Sequence, residues 1–162
     1  MKLRRLEAKD APLMLEWMHD EDVVRNMRRN FGSMTIDDCL RFIENSNDSA
    51  KDLHMAVTDD NDEYMGTVSL KNIHDGTAEF GITVRSCAMG KGISAYAMES
   101  MIKLGFDSLD LEEIYWCVDP DNQRALRFYD KNGYQRVPVP VSVSDYSAEE
   151  LQRYVWYKVN KQ

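Results

Sequence analysis

The spacing of hydrophobic positions near the start of the chain predicts a short strand followed by helices. Residues 2–6 have a strand-like pattern. A helix is predicted to begin after Asp10, taken as its N-cap, and to end near His19, with Pro12 in the first turn, where a missing amide costs nothing. A second short helix is predicted over residues 22–27. The chain therefore begins with one strand and at least two helices.

The middle of the chain changes from a helical to a β period. Thr35 begins a third predicted helix, because TIDD resembles a capping box and apolar residues follow at helical spacing. Three short β-like runs come next, separated by the polar turns DDNDE and HDG. These runs are LHMAVTD, YMGTVSLKN and TAEFGITV. Polar turns between such runs predict an antiparallel meander.

The rest of the chain alternates helices and strands. The pattern predicts a helix over 91–107, the strand EEIYWCV and a helix over 122–132. The second of these helices is predicted to end at Gly133 in a left-handed conformation. The strands YQRVPVPV and RYVWYKV follow. Ser147 and Glu150 form another capping box and mark a helical turn between the last two strands. The order of elements predicts an α/β fold, with a mixed, mostly antiparallel sheet of about seven strands and helices on both faces.

Length and charge indicate one domain with no affinity for nucleic acid. The 162 residues contain no repeat, low-complexity tract or linker, so a single domain over residues 1–162 is expected. The 28 acidic residues outnumber the 20 basic ones, and the net charge of −8 suits a cationic substrate rather than nucleic acid. No segment has the apolar length of a signal peptide or membrane span, so we expect a cytoplasmic protein without a membrane partner.

The cysteines and histidines form no disulfide or metal pattern. Cys39, Cys87 and Cys117 are odd in number and have no paired spacing, which suits a reducing compartment. No histidine stands at metal-ligand spacing from another histidine or from a cysteine, so no metal site is predicted. Cys87 has no histidine near it in the sequence, which makes a structural thiol the better interpretation than a covalent nucleophile.

The segment MGKGIS, residues 89–94, places Gly90 and Gly92 around Lys91 between a predicted strand and a predicted helix. A turn of this kind exposes backbone N–H groups at a helix start, where they can bind phosphate or pyrophosphate. An ordinary tight turn explains the glycines equally well. The phosphate loop GxxxxGK with a following Ser or Thr does not match, and neither does the dinucleotide motif GxGxxG.

A second motif, DPDNQRALRFYDKNGY at residues 119–134, falls on the next predicted helix. Asn122, Ala125 and Tyr129 stand at i, i+3 and i+7, and therefore share one face of that helix. They either line a groove or have structural roles, with Asn122 as an N-cap and Tyr129 as a core aromatic.

Together, these two motifs resemble the GNAT superfamily of acetyl-CoA-dependent N-acetyltransferases, in particular the branch with ribosomal-protein, polyamine and amino-sugar acetyltransferases. The resemblance covers residues 78–136. The family's glycine motif begins with Gln or Arg and ends with Gly or Ala, and Met89 and Ser94 depart from it at those positions. The resemblance implies a GNAT fold and direct transfer of an acetyl group from acetyl-CoA to an amine, without a metal.

The resemblance also implies which residues bind the co-substrate. The amides around Gly90 to Ala95 wrap the CoA pyrophosphate, and Lys91 adds charge. The strand EFGITV pairs with the pantetheine arm as a peptide adds to a sheet edge, and an amide near Val84 meets the oxyanion. The expected CoA-binding residues are Ile82, Val84, Met89, Gly90, Lys91, Gly92, Ile93, Ser94, Ala95, Asn122 and Ala125.

Two residues are candidates for the chemistry. Glu79 is the candidate base, because the family often places an acidic residue on this strand and alternation directs it away from Ala78 and Phe80. A solvated charge or a salt-bridge partner is the alternative for Glu79. The match to the family makes Tyr129 the acid for the leaving thiolate. Since tyrosine has a pKa of about 10 and a thiol one of about 8.5, a strengthening hydrogen bond is easier than full proton transfer.

The resemblance places the acceptor near the N-terminal helices, in EWMHDEDVVRNMRRN. The acidic half suits a polyamine and the basic half suits the diphosphate of a nucleotide-linked amino sugar, while both halves also fit solvated helix faces. A small-molecule amine is the expected acceptor. The alternatives are the N-terminal amine of a protein, such as a ribosomal subunit, and a non-catalytic domain that senses acetyl-CoA. The segments VPVPVSV and RYVWYKV suggest a homodimer or larger homo-oligomer.

Overall fold

The computed structural model describes residues 1–162, and its seven strands form one sheet. The sheet order is β1-β2-β3-β4-β5-β7-β6, and every neighbouring pair is antiparallel except β4 with β5. The prediction of a mixed, mostly antiparallel sheet is therefore confirmed. The strands are β1 (Lys2–Arg5), β2 (Leu53–Thr58), β3 (Tyr64–His74), β4 (Thr77–Val84), β5 (Glu113–Val118), β6 (Gln135–Val137) and β7 (Val155–Asn160).

Helices cover both faces of the sheet, as predicted. They are α1 (Ala11–Met18), α2 (Glu21–Val24), α3 (Ile36–Ser46), α4 (Ile93–Ser108), α5 (Gln123–Lys131) and α6 (Ala148–Arg153). On one face α1 and α3 bury Trp17 and Ile43, and on the other face α4 buries Met98. Neighbouring residues of β2 serve the two cores, Ala56 the first and Val57 the second, as the alternation of a strand requires.

The strands β4 and β5 separate after a short parallel contact. β4 continues to Val84 with β3 as its only strand neighbour, while β5 continues beside β7. We call the opening between residues 80–84 of β4 and residues 116–118 of β5 the fork. It interrupts the middle of the sheet, next to the turn that leads into α4. The pairs that join β4 to β5 are Thr77↔Glu113, Ala78↔Ile114 and Glu79↔Tyr115.

Several predicted helix ends are confirmed by local contacts. Thr35 and Asp38 form a capping box at the start of α3, and Ser147 and Glu150 form another at the start of α6. Gly133 follows α5 with φ at 83°, a backbone conformation that glycine adopts without strain. These signals depend on residues close together in the chain, which is why the sequence shows them.

Asp10 is the N-cap residue of α1, as predicted, but its side chain does not make the capping hydrogen bond. The Asp10 carboxylate makes no cap of α1 and instead accepts two hydrogen bonds from Arg4, each 2.8 Å long, and one from the Glu7 amide. Asp10 is buried beneath the end of β1, where the guanidinium compensates its charge. The start of α1 has Pro12 in its first turn instead, as expected.

Three predicted element bounds also differ from the structure. The strand expected over YQRVPVPV is confirmed only as the short β6, because Pro138 and Pro140 have no amide to donate to β7. The second helix is the short α2, which ends at Val24. The fourth helix, α4, begins at Ile93 rather than at residue 91, because the backbone of Gly92 is left-handed. None of the helices combines the length and the apolar character that crossing a membrane demands.

Candidate active site

The turn between β4 and α4 has a backbone that is suited to an anion. Gly90 and Gly92 have φ angles of 75° and 78°, which other residues adopt only with strain. The backbone amides of residues 90–95 donate none of the hydrogen bonds of the chain. They surround the first turn of the 16-residue α4, whose dipole attracts negative charge. The backbone alone can therefore cradle a phosphate group.

The outer side of this turn is open, and a cation lies beside it. A Cβ atom at Gly90 or Gly92 would meet no atom of the chain within 4 Å. The guanidinium of Arg124, on α5, donates to the thioether of Met89. Met89 stands where the glycine motif of the resembled family has Gln or Arg, and the Arg124 guanidinium lies next to it with donors of its own. No pattern in the sequence indicates this contact, because it joins two elements.

Asn122 caps the N-terminus of α5. The Asn122 side-chain oxygen accepts from the Ala125 amide at 3.2 Å, so the N-cap interpretation of Asn122 holds in this structure. Its side-chain nitrogen donates to no group of the chain and remains available. Ala125 packs against the main core and presents only a small side chain beside it.

Tyr129 lies in a cluster of aromatic side chains on β5, β7 and α5. Its ring centre is 5.3 Å from that of Trp116, which in turn lies 5.7 Å from Phe80 on the other side of the fork. The Tyr129 hydroxyl takes part in no hydrogen bond of the chain, although 7% of the residue reaches solvent. Burial raises the pKa of Tyr129 above its usual range. The side chain is therefore a neutral hydrogen-bond donor at physiological pH.

Glu79 occupies the last paired position before the fork and points away from the core of α4. Its neighbours Ala78 and Phe80 are buried in that core, which confirms the predicted alternation. The Glu79 side chain is 15% exposed and has two neighbours. Its Oε2 accepts from the Tyr146 hydroxyl at 2.5 Å, and its Oε1 lies 3.8 Å from Nζ of Lys71. A carboxylate thus stands at the fork on the face opposite the core of α4.

Comparison with known proteins identifies the family. Residues 1–135 match the family model described as "Acetyltransferase (GNAT) domain". The chain belongs to the GNAT acetyltransferase family. It is therefore an enzyme, and the alternative of a non-catalytic domain is set aside.

Relatives of this acetyltransferase include enzymes from several bacteria. It is 29% identical over 141 residues to the spermidine N(1)-acetyltransferase of Escherichia coli, covering 83% of this chain and 72% of the relative. It is 25% identical over 130 residues to the acetyltransferase PseH of Campylobacter jejuni, covering 80% and 79%. The spermidine N-acetyltransferase of Vibrio cholerae, solved with CoA and spermine, shares the fold with a TM-score of 0.81 at 19% identity, covering 98% of this chain and 94% of that one.

In this GNAT acetyltransferase an open groove of about 390 Å³ lies against Glu79. Strand β3, the segment before β2 and the loop before α6 meet around it. It contains three cationic and three acidic side chains. The lining residues are Arg28, Lys51, Asp52, Lys71, Asn72, Glu79, Ser144, Asp145 and Tyr146.

Tyr146 is a candidate site residue that the sequence does not reveal. It lies 67 positions from Glu79, in a loop whose sequence has no catalytic motif. Its hydroxyl accepts from the Cys117 thiol at 3.5 Å and donates to Glu79. Burial raises the pKa of Cys117 to about 11 and also raises the pKa of Tyr146. Both groups therefore keep their protons at neutral pH, and Glu79 remains the acceptor at the end of this hydrogen-bonded chain.

The acidic half of the expected acceptor segment is bound to other groups of the protein. Three of its carboxylates have partners within the chain, so they form no free acidic trough. Arg28, in the basic half, binds Glu150 at 2.8 Å and lies 4.0 Å above the ring of Tyr146. The acidic pairs are Glu16 with Arg85, Asp20 with Ser86, and Asp22 with Arg25.

The exposed cysteine and the possible metal ligands are also candidate reactive groups in the sequence. Cys87 is exposed beside the glycine turn. No group of three or more His, Cys, Asp or Glu side chains has an arrangement that could hold a metal ion.

Proposed function

We propose that this enzyme transfers the acetyl group of acetyl-CoA directly to the primary amine of a small molecule. The observation that carries the proposal is the combination of six free amides at residues 90–95 with a carboxylate, Glu79, at the fork. The amides suit a pyrophosphate, and the carboxylate suits an ammonium group. The fork connects the two positions.

The turn fits the CoA pyrophosphate. Its free amides and left-handed glycines supply donors without side chains in the way. We assign this contact to the backbone of residues 90–95, with Lys91 adding charge and Arg124 supplying the donor that Met89 lacks. We add the free amide nitrogen of Asn122 and the small side chain of Ala125, at the start of α5, as further contacts for CoA.

The open edge of β4 suits the pantetheine arm. Ile82 and Val84 lie on the part of β4 that has no strand on its fork side. An extended chain of amides can add to such an edge as a further strand does. The backbone amide near Val84 is our candidate for the oxyanion of the transition state.

Glu79 and Tyr129 suit the two proton requirements of the reaction. An ammonium group with a pKa of about 10.4 is deprotonated in only about one molecule in 10³ at pH 7. A general base that removes its proton therefore raises the rate ~10²–10⁴-fold. We assign this base role to Glu79, acting directly or through a water. Because burial raises the pKa of Tyr129, a hydrogen bond to the leaving thiolate is its more favourable role.

The charges of the groove support a nucleotide-linked amino sugar over a polyamine as the acceptor. The groove's three carboxylates are matched by three cations, and three of the four acidic side chains of the acceptor segment already have partners. A polyamine would bring several more positive charges next to Lys71 and Arg28. An amine with an anionic group nearby would instead meet these cations favourably. The names of the Escherichia and Vibrio relatives keep the polyamine as the second candidate.

The test is release of free thiol from acetyl-CoA across a panel of amines. The panel holds polyamines, nucleotide-linked amino sugars, amino acids and short peptides with free N-termini. We expect turnover with a small amine, and the highest kcat/KM for one that carries a phosphate group. If acetyl-CoA binds but no amine on the panel releases thiol, the proposed function is wrong.

A further inference from the structure

Lys71 is a primary ammonium that already lies where the proposed reaction needs one. It stands on β3 directly opposite Glu79 of β4. Its Nζ is 3.8 Å from Oε1 of Glu79, and the Lys71 side chain is 44% exposed to solvent and lines the groove. The acceptor amine of the proposed function has to meet the same carboxylate.

The neighbouring glycine lets this side chain lie across the strand. A Cβ atom at Gly81 would lie 3.4 Å from Cε and 3.5 Å from Nζ of Lys71. Gly81 lies two residues beyond Glu79, within the fork. Because Gly81 has no side chain, Lys71 folds over β4 and brings its nitrogen to the edge of the opening along which the acyl donor is proposed to lie.

We propose that Lys71 is a self-acetylation site of this enzyme, modified by acetyl-CoA when no acceptor amine occupies the groove. This inference rests on the proposed function. Glu79 takes one proton from the Lys71 ammonium and passes it to water. The free amine then attacks the thioester carbonyl, the N–C bond forms, and the C–S bond breaks. The sulfur leaves with the electron pair, the nitrogen gives up its second proton to water, and the thiolate takes up one proton from water. The products are CoA thiol and Nε-acetyl-Lys71, with a net release of one proton.

The product changes the groove. Acetylation removes the positive charge beside Glu79 and leaves a neutral amide in its place. An external amine and Lys71 need the same carboxylate, so they compete for it. A bound acceptor therefore protects Lys71.

The experiment follows acetylation of each lysine by peptide mass spectrometry after incubation of the full chain with acetyl-CoA. Lys158 is the matched control, because its Nζ lies 3.4 Å from Glu113 on the same sheet and its side chain is 30% exposed, but it does not line the groove. With Glu79 as base, Lys71 should react at least ~10²-fold faster than Lys158. This faster acetylation of Lys71 should disappear in the Glu79→Gln variant. It should also disappear when an amine that the enzyme acetylates is present at a saturating concentration.

Two results would overturn the inference. One is acetylation of Lys71 no faster than that of Lys158. The other is an excess at Lys71 that persists in Glu79→Gln, which would indicate reaction without this site. If an external amine is turned over while Lys71 stays unmodified in its absence, the self-acetylation fails and the proposed function stands. If no amine is turned over and Lys71 is unmodified, both fail.

Discussion

Among single residues, Tyr129 combines a buried ring with a hydroxyl that has no partner in the chain. Replacing it with phenylalanine keeps the ring packing and removes only the hydroxyl. We expect Tyr129→Phe to lower kcat by roughly 10²-fold, because one hydrogen-bond donor to the developing thiolate is lost, while the Kd for acetyl-CoA stays nearly unchanged. Steady-state kinetics and direct binding of acetyl-CoA measure the two quantities.

A neighbouring tyrosine provides the control for this variant. Tyr134 lies in the same aromatic cluster, with its ring centre 6.3 Å from that of Tyr129, and its hydroxyl also makes no hydrogen bond. Tyr134→Phe should therefore leave kcat close to that of the wild type. Equal losses in the two variants would assign the effect to the cluster and refute the role of Tyr129 as donor.

Under the proposed function, Tyr146 is a positioning residue that acts on the reaction through Glu79. Its hydroxyl holds one carboxylate oxygen and leaves the other facing Lys71. We expect Tyr146→Phe to lower kcat/KM about tenfold, equivalent to about 1.4 kcal/mol, because a hydrogen bond to a charged group is lost. The Kd for acetyl-CoA should stay unchanged, because the substitution lies beside the carboxylate and not at the glycine turn.

The tyrosine that packs on Tyr146 separates this effect from a packing effect. The rings of Tyr146 and Tyr154 meet edge to face at 6.1 Å, and the Tyr154 hydroxyl makes no hydrogen bond. Tyr154→Phe should leave kcat/KM close to that of the wild type. Equal values of kcat/KM in the wild type and Tyr146→Phe would exclude the positioning role, and so would equal losses in the two variants.

Among the structural elements, the turn into α4 depends on glycine for its backbone and for its open side. We expect Gly92→Leu to raise the Kd for acetyl-CoA at least tenfold, because the side chain enters the space in front of the free amides and the left-handed backbone is strained by ~1–2 kcal/mol. Gly133→Leu carries the same kind of strain, at φ 83°, but lies after α5 and away from the amides. Isothermal titration of both variants should show weak binding only for Gly92→Leu, and normal affinity there would refute the assignment of the pyrophosphate.

The elements themselves show what sequence alone can predict. The strands β2 to β5, the caps of α3 and α6, and the end of α5 were predicted because their signals lie within a few residues. Asp10 stands at the predicted start of α1, but the sequence could not show that its side chain binds Arg4 instead of capping the helix, because Arg4 lies on another element. The length of β6 was overestimated because the alternation of VPVPV favours a strand while its prolines cannot donate to β7.

Across the whole molecule, one ion pair links the N-terminal helices to the C-terminal part. Arg28 and Glu150 are 122 positions apart, and the Arg28 guanidinium lowers the pKa of Glu150 from 4.5 to about 2. Because the pKa is lowered in the folded state, the stability from this pair is present above pH 4.5 and is lost as the pH falls toward 2. We therefore expect Glu150→Gln to be less stable than the wild type at neutral pH, with a gap that closes in acid.

Urea unfolding at a series of pH values measures this gap. Glu149→Gln is the control, because Glu149 is on the same helix and makes no ion pair. Its free energy of unfolding should follow that of the wild type at every pH. If the gap between Glu150→Gln and the wild type stays constant down to pH 2, the pair with Arg28 does not contribute as described.

Only part of the candidate site could be predicted from the sequence, because several of its contacts join residues that are far apart along the chain. The glycine turn and the face of α5 are local patterns, so both could be read from residue spacing. The contacts of Glu79 with Tyr146, and of Met89 with Arg124, join segments that are brought together only by the fold. Which acidic residues remain free also depends on such pairs, as Glu16 with Arg85 illustrates.

The fork gives the sheet an edge in its interior. Three residue pairs hold β4 to β5, and beyond them the backbone of β4 lacks a neighbour on one side. Unpaired strand edges are the places where chains associate wrongly with one another. At the outer edge, β6 is short and is followed by Pro138, which blunts it. The inner edge has no such protection of its own, so under the proposed function the co-substrate also acts as a shield, and the enzyme is most prone to aggregate when acetyl-CoA is scarce.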